Sequence, residues 1–90
     1  MIGPSTYTVY IKRSAEKEMD RLPAKMFGRL AEVILALGEN PRPPGCKKLH
    51  GVDEYRLKIG AYRVLYTVDD SERRIEVVAV GHRRDVYRGI

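Results

Sequence analysis

The stretch from Tyr55 to Asp69 leaves this chain the least conformational freedom. Two runs in it, Tyr55 to Ile59 and Tyr62 to Asp69, alternate with a period of two and are separated only by Gly60-Ala61. A two-residue connection with glycine at its first central position suits a type II′ hairpin turn. Such a turn fixes the register, so Ile59 faces Tyr62, Lys58 faces Arg63, Leu57 faces Val64 and Arg56 faces Leu65. Strand alternation then puts Tyr55, Leu57, Ile59, Tyr62, Val64, Tyr66 and Val68 on one side, apolar enough to form a core. Arg56, Lys58, Arg63, Leu65 and Thr67 fall on the other side, which is cationic.

The rest of the chain arranges itself around that hairpin. A third run, Ile75 to Val80, follows the polar segment from Asp69 to Arg74 and completes an antiparallel meander of three strands. Upstream, Tyr7 to Lys12 is rich in β-branched and aromatic residues and reads as a strand. Ser14 is placed to cap a short helix with Ala15, Met19 and Leu22 on its apolar stripe and Glu16 in its first turn. Pro23 suits the first residue of a second helix, whose stripe of Phe27, Leu30, Ala31, Ile34 and Leu37 or Ala36 ends at Gly38. Phe27, Leu30 and Ile34 are expected in the core. The order β, α, α, β, β, β gives an α+β fold in which an N-terminal strand and an αα-hairpin precede the meander. The two helices then pack on one face of a mostly antiparallel sheet, and Asn40 to Gly45 forms the long loop.

Size and composition bound the function. Ninety residues support one modest core, so residues 1–90 are read as a single domain. Lys and Arg outnumber Asp and Glu by 17 to 12, a net charge of +5 that favours polyanions as partners. The lone Cys46 cannot form an internal disulfide, and no Cys/His cluster has metal-ligand spacing, so neither a metal nor a cofactor is expected. No signal-like or membrane-spanning run occurs, which points to a cytoplasmic protein without a membrane partner.

Paired strands make the charge pattern more pointed. Lys58 opposite Arg63 is a like-charge pair costing up to about 1 kcal/mol, and no Asp or Glu lies between Tyr55 and Val68 to offset it. A bound phosphate is the simplest compensator. The third meander strand runs back toward the Gly60 turn, which brings Gly81-His82-Arg83-Arg84 to the same end, with Tyr87 just beyond. Arg56, Lys58, Arg63, His82, Arg83 and Tyr87 thereby form one candidate site, against the plainer reading of a solvated basic face.

Three segments together resemble the RelE branch of the RelE/ParE toxin superfamily. They are Lys48-Leu49-His50-Gly51, the strand pair from Tyr55 to Tyr66, and Val80-Gly81-His82-Arg83-Arg84-Asp85-Val86-Tyr87. The resemblance implies the toxin of a type II toxin–antitoxin system, a metal-independent endoribonuclease cutting mRNA in the ribosomal A site. The reaction it implies is attack of the ribose 2′-OH on the adjacent phosphate, leaving a 2′,3′-cyclic phosphate and a 5′-OH. By the same resemblance Lys58 serves as base or electrostatic partner of the 2′-OH, and Arg63 and Arg83 hold the scissile phosphate. Tyr87 stacks on or orients a nucleotide, while Arg56 and Arg84 add phosphate contacts. Arg56 stands where the best-known members have lysine, so Lys58 or His82 is left as the base. The implied partners are a RelB-like antitoxin, the ribosome and mRNA, with promoter DNA met only through the antitoxin complex. A ParE-like gyrase poison and a non-catalytic antitoxin-binding relative remain the alternatives.

Overall fold

The computed structural model describes residues 6–49 and 54–82. Strand β1 (Thr8–Ile11) leads into helices α1 (Arg13–Asp20) and α2 (Ala24–Ala36). Four further strands follow: β2 (Lys47–Lys48), β3 (Glu54–Ile59), β4 (Tyr62–Asp69) and β5 (Arg74–His82). They form one five-stranded sheet in the order β1-β5-β4-β3-β2, antiparallel except where β1 runs parallel to β5.

The β3–β4 hairpin has the expected register, with Lys58 opposite Arg63 and Ile59 opposite Tyr62. Gly60 has φ +62° while Ala61 does not share a positive φ, which fits a type II′ turn and excludes type I′. The apolar side of the sheet packs under the helices, where Leu57, Val64, Tyr66, Ile75, Val77 and Val80 meet Ala15, Met19, Leu30, Ile34 and Leu37. Tyr66 is fully buried and donates its hydroxyl to the Pro41 carbonyl at 2.7 Å. Burial holds its phenol well above the ordinary range. Val77 and Val80 share the core side although three residues apart, because a bulge opposite Leu65 and Tyr66 leaves Val78 without a strand partner in β4.

Several local expectations are corrected. Ser14 is not the cap of α1: Lys12 holds the N-cap position without a side-chain bond, and Ser14 lies inside the first turn. Pro23 is the N-cap of α2 instead of its first residue, with its carbonyl accepting the Phe27 N–H at 2.9 Å. Strand β2 was not anticipated, since two consecutive lysines carry no alternation. Phe27 is not core but 40% exposed, because the buried stripe of α2 centres on Leu30, Ile34 and Leu37 and leaves Phe27 at its margin. Helix α2 ends at Ala36 with Leu37 as its C-cap, two residues before Gly38, which has no positive φ; glycine is needed there because a Cβ would come within 3.0 Å of the Tyr7 carbonyl oxygen. The Tyr7 N–H in turn reaches the Gly38 carbonyl at 2.7 Å, tying the start of the sheet to the end of the helical hairpin.

Candidate nucleic-acid interface

Cross-strand partners share a face, so the pairings themselves build the surface opposite the helices. Its row nearest the Gly60 turn is Lys58–Arg63–Gly81. The next is Lys47–Arg56–Leu65–Ala79. A third row, Glu54–Thr67–Glu76, is acidic. Lys47 is a cation the sequence reading missed, because only β2 places it beside Arg56.

The cations are held differently. Lys58 is exposed at the β3 edge, past the point where β2 stops. Arg63 is only 8% exposed, and its Nη1 donates to the carbonyls of Gly60 at 3.3 Å and Tyr62 at 3.1 Å. Those bonds anchor the guanidinium at the turn. Arg56 has its Nε buried with no hydrogen-bond partner among the described residues. Such a donor costs about 1–3 kcal/mol while unmet, so swinging this guanidinium toward an anionic oxygen would break no bond in the fold. Leu65, between Arg56 and Ala79, is fully buried, so the face is not uniformly solvated.

His82 stands apart from this set. The register pairs it with Tyr62, whereas Gly81 is the residue opposite Arg63. Tyr62 packs against the core, and its ring meets the His82 ring edge-on at 5.7 Å, so His82 lies toward the helices. The expected single cluster is therefore divided between two faces of the sheet. Arg83, Arg84 and Tyr87 lie outside the described residues. Among the described residues no group of three His, Cys, Asp or Glu side chains could hold a metal ion.

The chain and its fold match a known family. The family described as "ParE toxin of type II toxin-antitoxin system, parDE" matches residues 9–87. The chain belongs to the RelE/ParE toxin superfamily. Within it the relatives are of the RelE type: toxin RelG of Mycobacterium tuberculosis is 30% identical, covering 91% of this chain and 97% of its own length. The archaeal RelE of the RelE–RelB complex from Pyrococcus horikoshii superposes with a TM-score of 0.80 at 30% identity, over 90% of this chain and 99% of that one. Isolated Escherichia coli RelE gives 0.74 at 29% identity, over 84% of this chain and 83% of that one. This protein is thus a RelE-type toxin of a type II toxin–antitoxin system, with two helices on a mixed five-stranded sheet as in those structures.

Proposed function

We propose that this RelE-type toxin is a metal-independent endoribonuclease that cuts mRNA in the ribosomal A site and is neutralised by a RelB-like antitoxin. The observation that carries the reading is the Lys58–Arg63 row, a like-charge pair with Arg56 and Lys47 behind it and no carboxylate beside it among the described residues. Self-repulsion of this kind is relieved by a bound phosphate and worsened by a neutral or acidic partner.

The chemistry follows from where the cations stand. Lys58, exposed at the strand edge, takes the proton of the ribose 2′-OH, and the 2′-oxygen attacks the adjacent phosphorus. Charge builds on the phosphorane oxygens, which Arg63 meets from a guanidinium already fixed to the turn, without reorganisation at the moment of reaction. The bond from phosphorus to the 5′-oxygen breaks, that oxygen takes up a proton, and a 2′,3′-cyclic phosphate remains. Lys58 is preferred to His82 as base because it shares the face of Arg63 and Arg56, while His82 faces the helices. Arg83 and Arg84 add phosphate contacts and Tyr87 stacks on a codon base, as in the resemblance. The cytoplasm, where mRNA and ribosomes are, is the setting this reading requires. Solved relatives such as the Pyrococcus horikoshii and Methanococcus jannaschii proteins were crystallised as RelB–RelE complexes, which supports an antitoxin of that kind here.

Primer extension on translated messages after brief induction, beside a Lys58→Ala, Arg63→Ala double variant, tests the reading. Cuts at fixed positions within codons, absent in the variant, are expected. Growth arrest with intact messages and inhibited DNA supercoiling would overturn it in favour of a ParE-like gyrase poison.

A further inference from the structure

The outer edge of β3 is left open at Lys58. Backbone polar groups of alternate β3 residues point away from β4: the Glu54 carbonyl accepts the Leu49 N–H at 2.7 Å, and Arg56, two residues on, pairs with Lys47 of β2. Lys58 is two residues further, past the point where β2 pairs with β3. Its N–H and C=O therefore point outward as those of Arg56 do, and neither has a hydrogen-bond partner among the described residues. Its side chain meanwhile belongs to the cationic row with Arg63.

Beside that open edge lies a cavity of about 410 Å³, within the size range of small-ligand sites. Val33 and Ala36 of α2, Pro43 and Pro44 of the loop after it, and Leu57 and Ile59 of β3 wall it, and among the described residues Lys58 is its one charged lining residue. The loop wall is fastened in place. The Tyr66 hydroxyl donates to the Pro41 carbonyl at 2.7 Å, while Arg42 donates from Nη2 to Asp70 and from Nε to the Tyr55 hydroxyl, each at 2.9 Å. The Cys46 N–H then turns back to the Pro43 carbonyl at 3.1 Å, with Gly45 at φ +94°, before the chain enters β2 at Lys47. A wall held in this way is formed before any ligand arrives, which cuts the ordering cost of binding.

We propose that this cavity takes a nucleobase, that of an RNA nucleotide adjoining the phosphate at the Lys58–Arg63 row; the place of that phosphate rests on the nuclease reading above. Every base carries a hydrogen-bond donor and acceptor side by side on its pairing edge, which the outward N–H and C=O of Lys58 match, and its flat faces suit proline and aliphatic walls. Continuity with the cationic row assigns the occupant, since a ligand that pairs with the Lys58 backbone in an apolar slot and carries a phosphate to its ammonium has the chemistry of a nucleotide. An RNA strand that crosses the sheet near Gly60 leaves it over the β3 edge, where the end of β2 opens onto the cavity. The same lysine deters edge-to-edge pairing with a second copy of the chain. Lys58 thus acts twice, by its side chain on the sugar and phosphate and by its backbone on the base.

The test titrates the full chain with adenosine 5′-monophosphate and, as a probe without a base, ribose 5-phosphate, read by amide and methyl chemical shifts. Adenosine monophosphate should bind at least tenfold more tightly and move the Lys58 amide together with the Val33 and Ile59 methyl signals, which ribose 5-phosphate leaves in place. Ala36→Phe, at an exposed position on the last turn of α2, fills the cavity without touching the Lys58 or Arg63 side chains. It should weaken adenosine monophosphate at least tenfold and leave ribose 5-phosphate within twofold, which separates loss of the cavity from loss of the fold. Equal affinity of the two probes, no shift at Val33 and Ile59, or an adenosine monophosphate affinity unchanged within twofold in Ala36→Phe would overturn the proposal. A dimer of the chain in which the Lys58 amide becomes protected from hydrogen exchange would also overturn it, by giving the edge to a second copy. Neither probe can be cut, so the result is independent of whether the chain cleaves mRNA: base binding in a chain that leaves messages intact would sink the nuclease reading alone.

Discussion

Glu18 offers the sharpest test of how the sheet is held in place. Strand β1 ends with Ile11 opposite Val77, so beyond that point β5 has no strand on its outer side among the described residues. The Val80 N–H is satisfied instead by a carboxylate oxygen of Glu18, reaching from α1 to 2.9 Å in a partly buried position. In Glu18→Ala the donor loses its acceptor, and among the described residues no strand pairs with β5 there to replace it. A hydrogen bond to a charged group contributes about 1.5–3 kcal/mol, and alanine's better helix propensity returns a few tenths. The expected net loss is about 1–2.5 kcal/mol, or a fall in melting temperature of roughly 5–20 °C for a domain of this size. Glu18→Gln keeps a carbonyl oxygen at the same reach and should lose less than half as much. Thermal and urea unfolding give the energies, and hydrogen exchange at the Val80 amide reports the bond itself. If the alanine and glutamine variants are equally stable, or if Val80 exchanges at the same rate in all three proteins, the carboxylate is not the fastening it is taken to be.

Further outcomes follow from other parts of the molecule. Arg83→Ala should reduce codon-specific cleavage at least 100-fold, about 2.7 kcal/mol in barrier, with antitoxin affinity retained in a pull-down; undiminished toxicity would remove Arg83 from the mechanism. Lys58→Thr removes the like-charge pair and should raise stability by a few tenths of a kcal/mol while cleavage is lost, and coincident loss of both would refute the functional account of that pair. Gly60→Val forces a β-branched residue to φ +62° and should destabilise by more than about 1 kcal/mol, measured by urea midpoint. Asp70 is held below the ordinary carboxylate range, first by the Arg42 guanidinium and then by the Tyr7 hydroxyl. A lowered folded value means that its stabilisation is present above the unfolded carboxyl pKa, about 3.9, and disappears as pH falls through the folded value. The urea midpoint of Asp70→Asn should therefore fall less than that of the parent between pH 5 and pH 2.5.

The hairpin was legible because each of its determinants is local: glycine in a two-residue turn, alternation on both sides, and a register that the turn length sets. Once that register was fixed, the faces followed, including the opposition of Lys58 and Arg63. What escaped the sequence depends on partners far along the chain. The run Val77-Val78-Ala79-Val80 is apolar throughout, so nothing in its pattern marks the bulge at Val78 that carries Val80 back to the core side. Lys47 and Lys48 form a strand only because β3 offers them an edge. Phe27 satisfies the helical stripe by spacing alone, but the width of the buried stripe depends on how α1 lies beside α2. His82 was brought to the correct end of the sheet, yet its face depends on which residue sits opposite Arg63, and that position belongs to Gly81.

For the proposed nuclease the charge that matters is less the net +5 than its distribution along one face of the sheet. Lys58 and Arg63 stand at the Gly60 end of that face, while Glu54 and Glu76 flank Thr67 toward the other. From Lys58 to Glu54 is four residues of strand, about 13 Å at 3.3 Å per residue. That exceeds the Debye length of about 8 Å at physiological ionic strength, so the two ends do not cancel each other for an approaching polyanion. A phosphate backbone laid along the strands would run from attraction into repulsion. One that crosses them near the turn meets Lys58, Arg63 and, a row behind, Arg56 and Lys47, and no acid among the described residues. In the proposed nuclease the acidic row would restrict a bound strand to a single crossing at the end where Arg63 is anchored, which is the alignment that a cut at one defined phosphate requires.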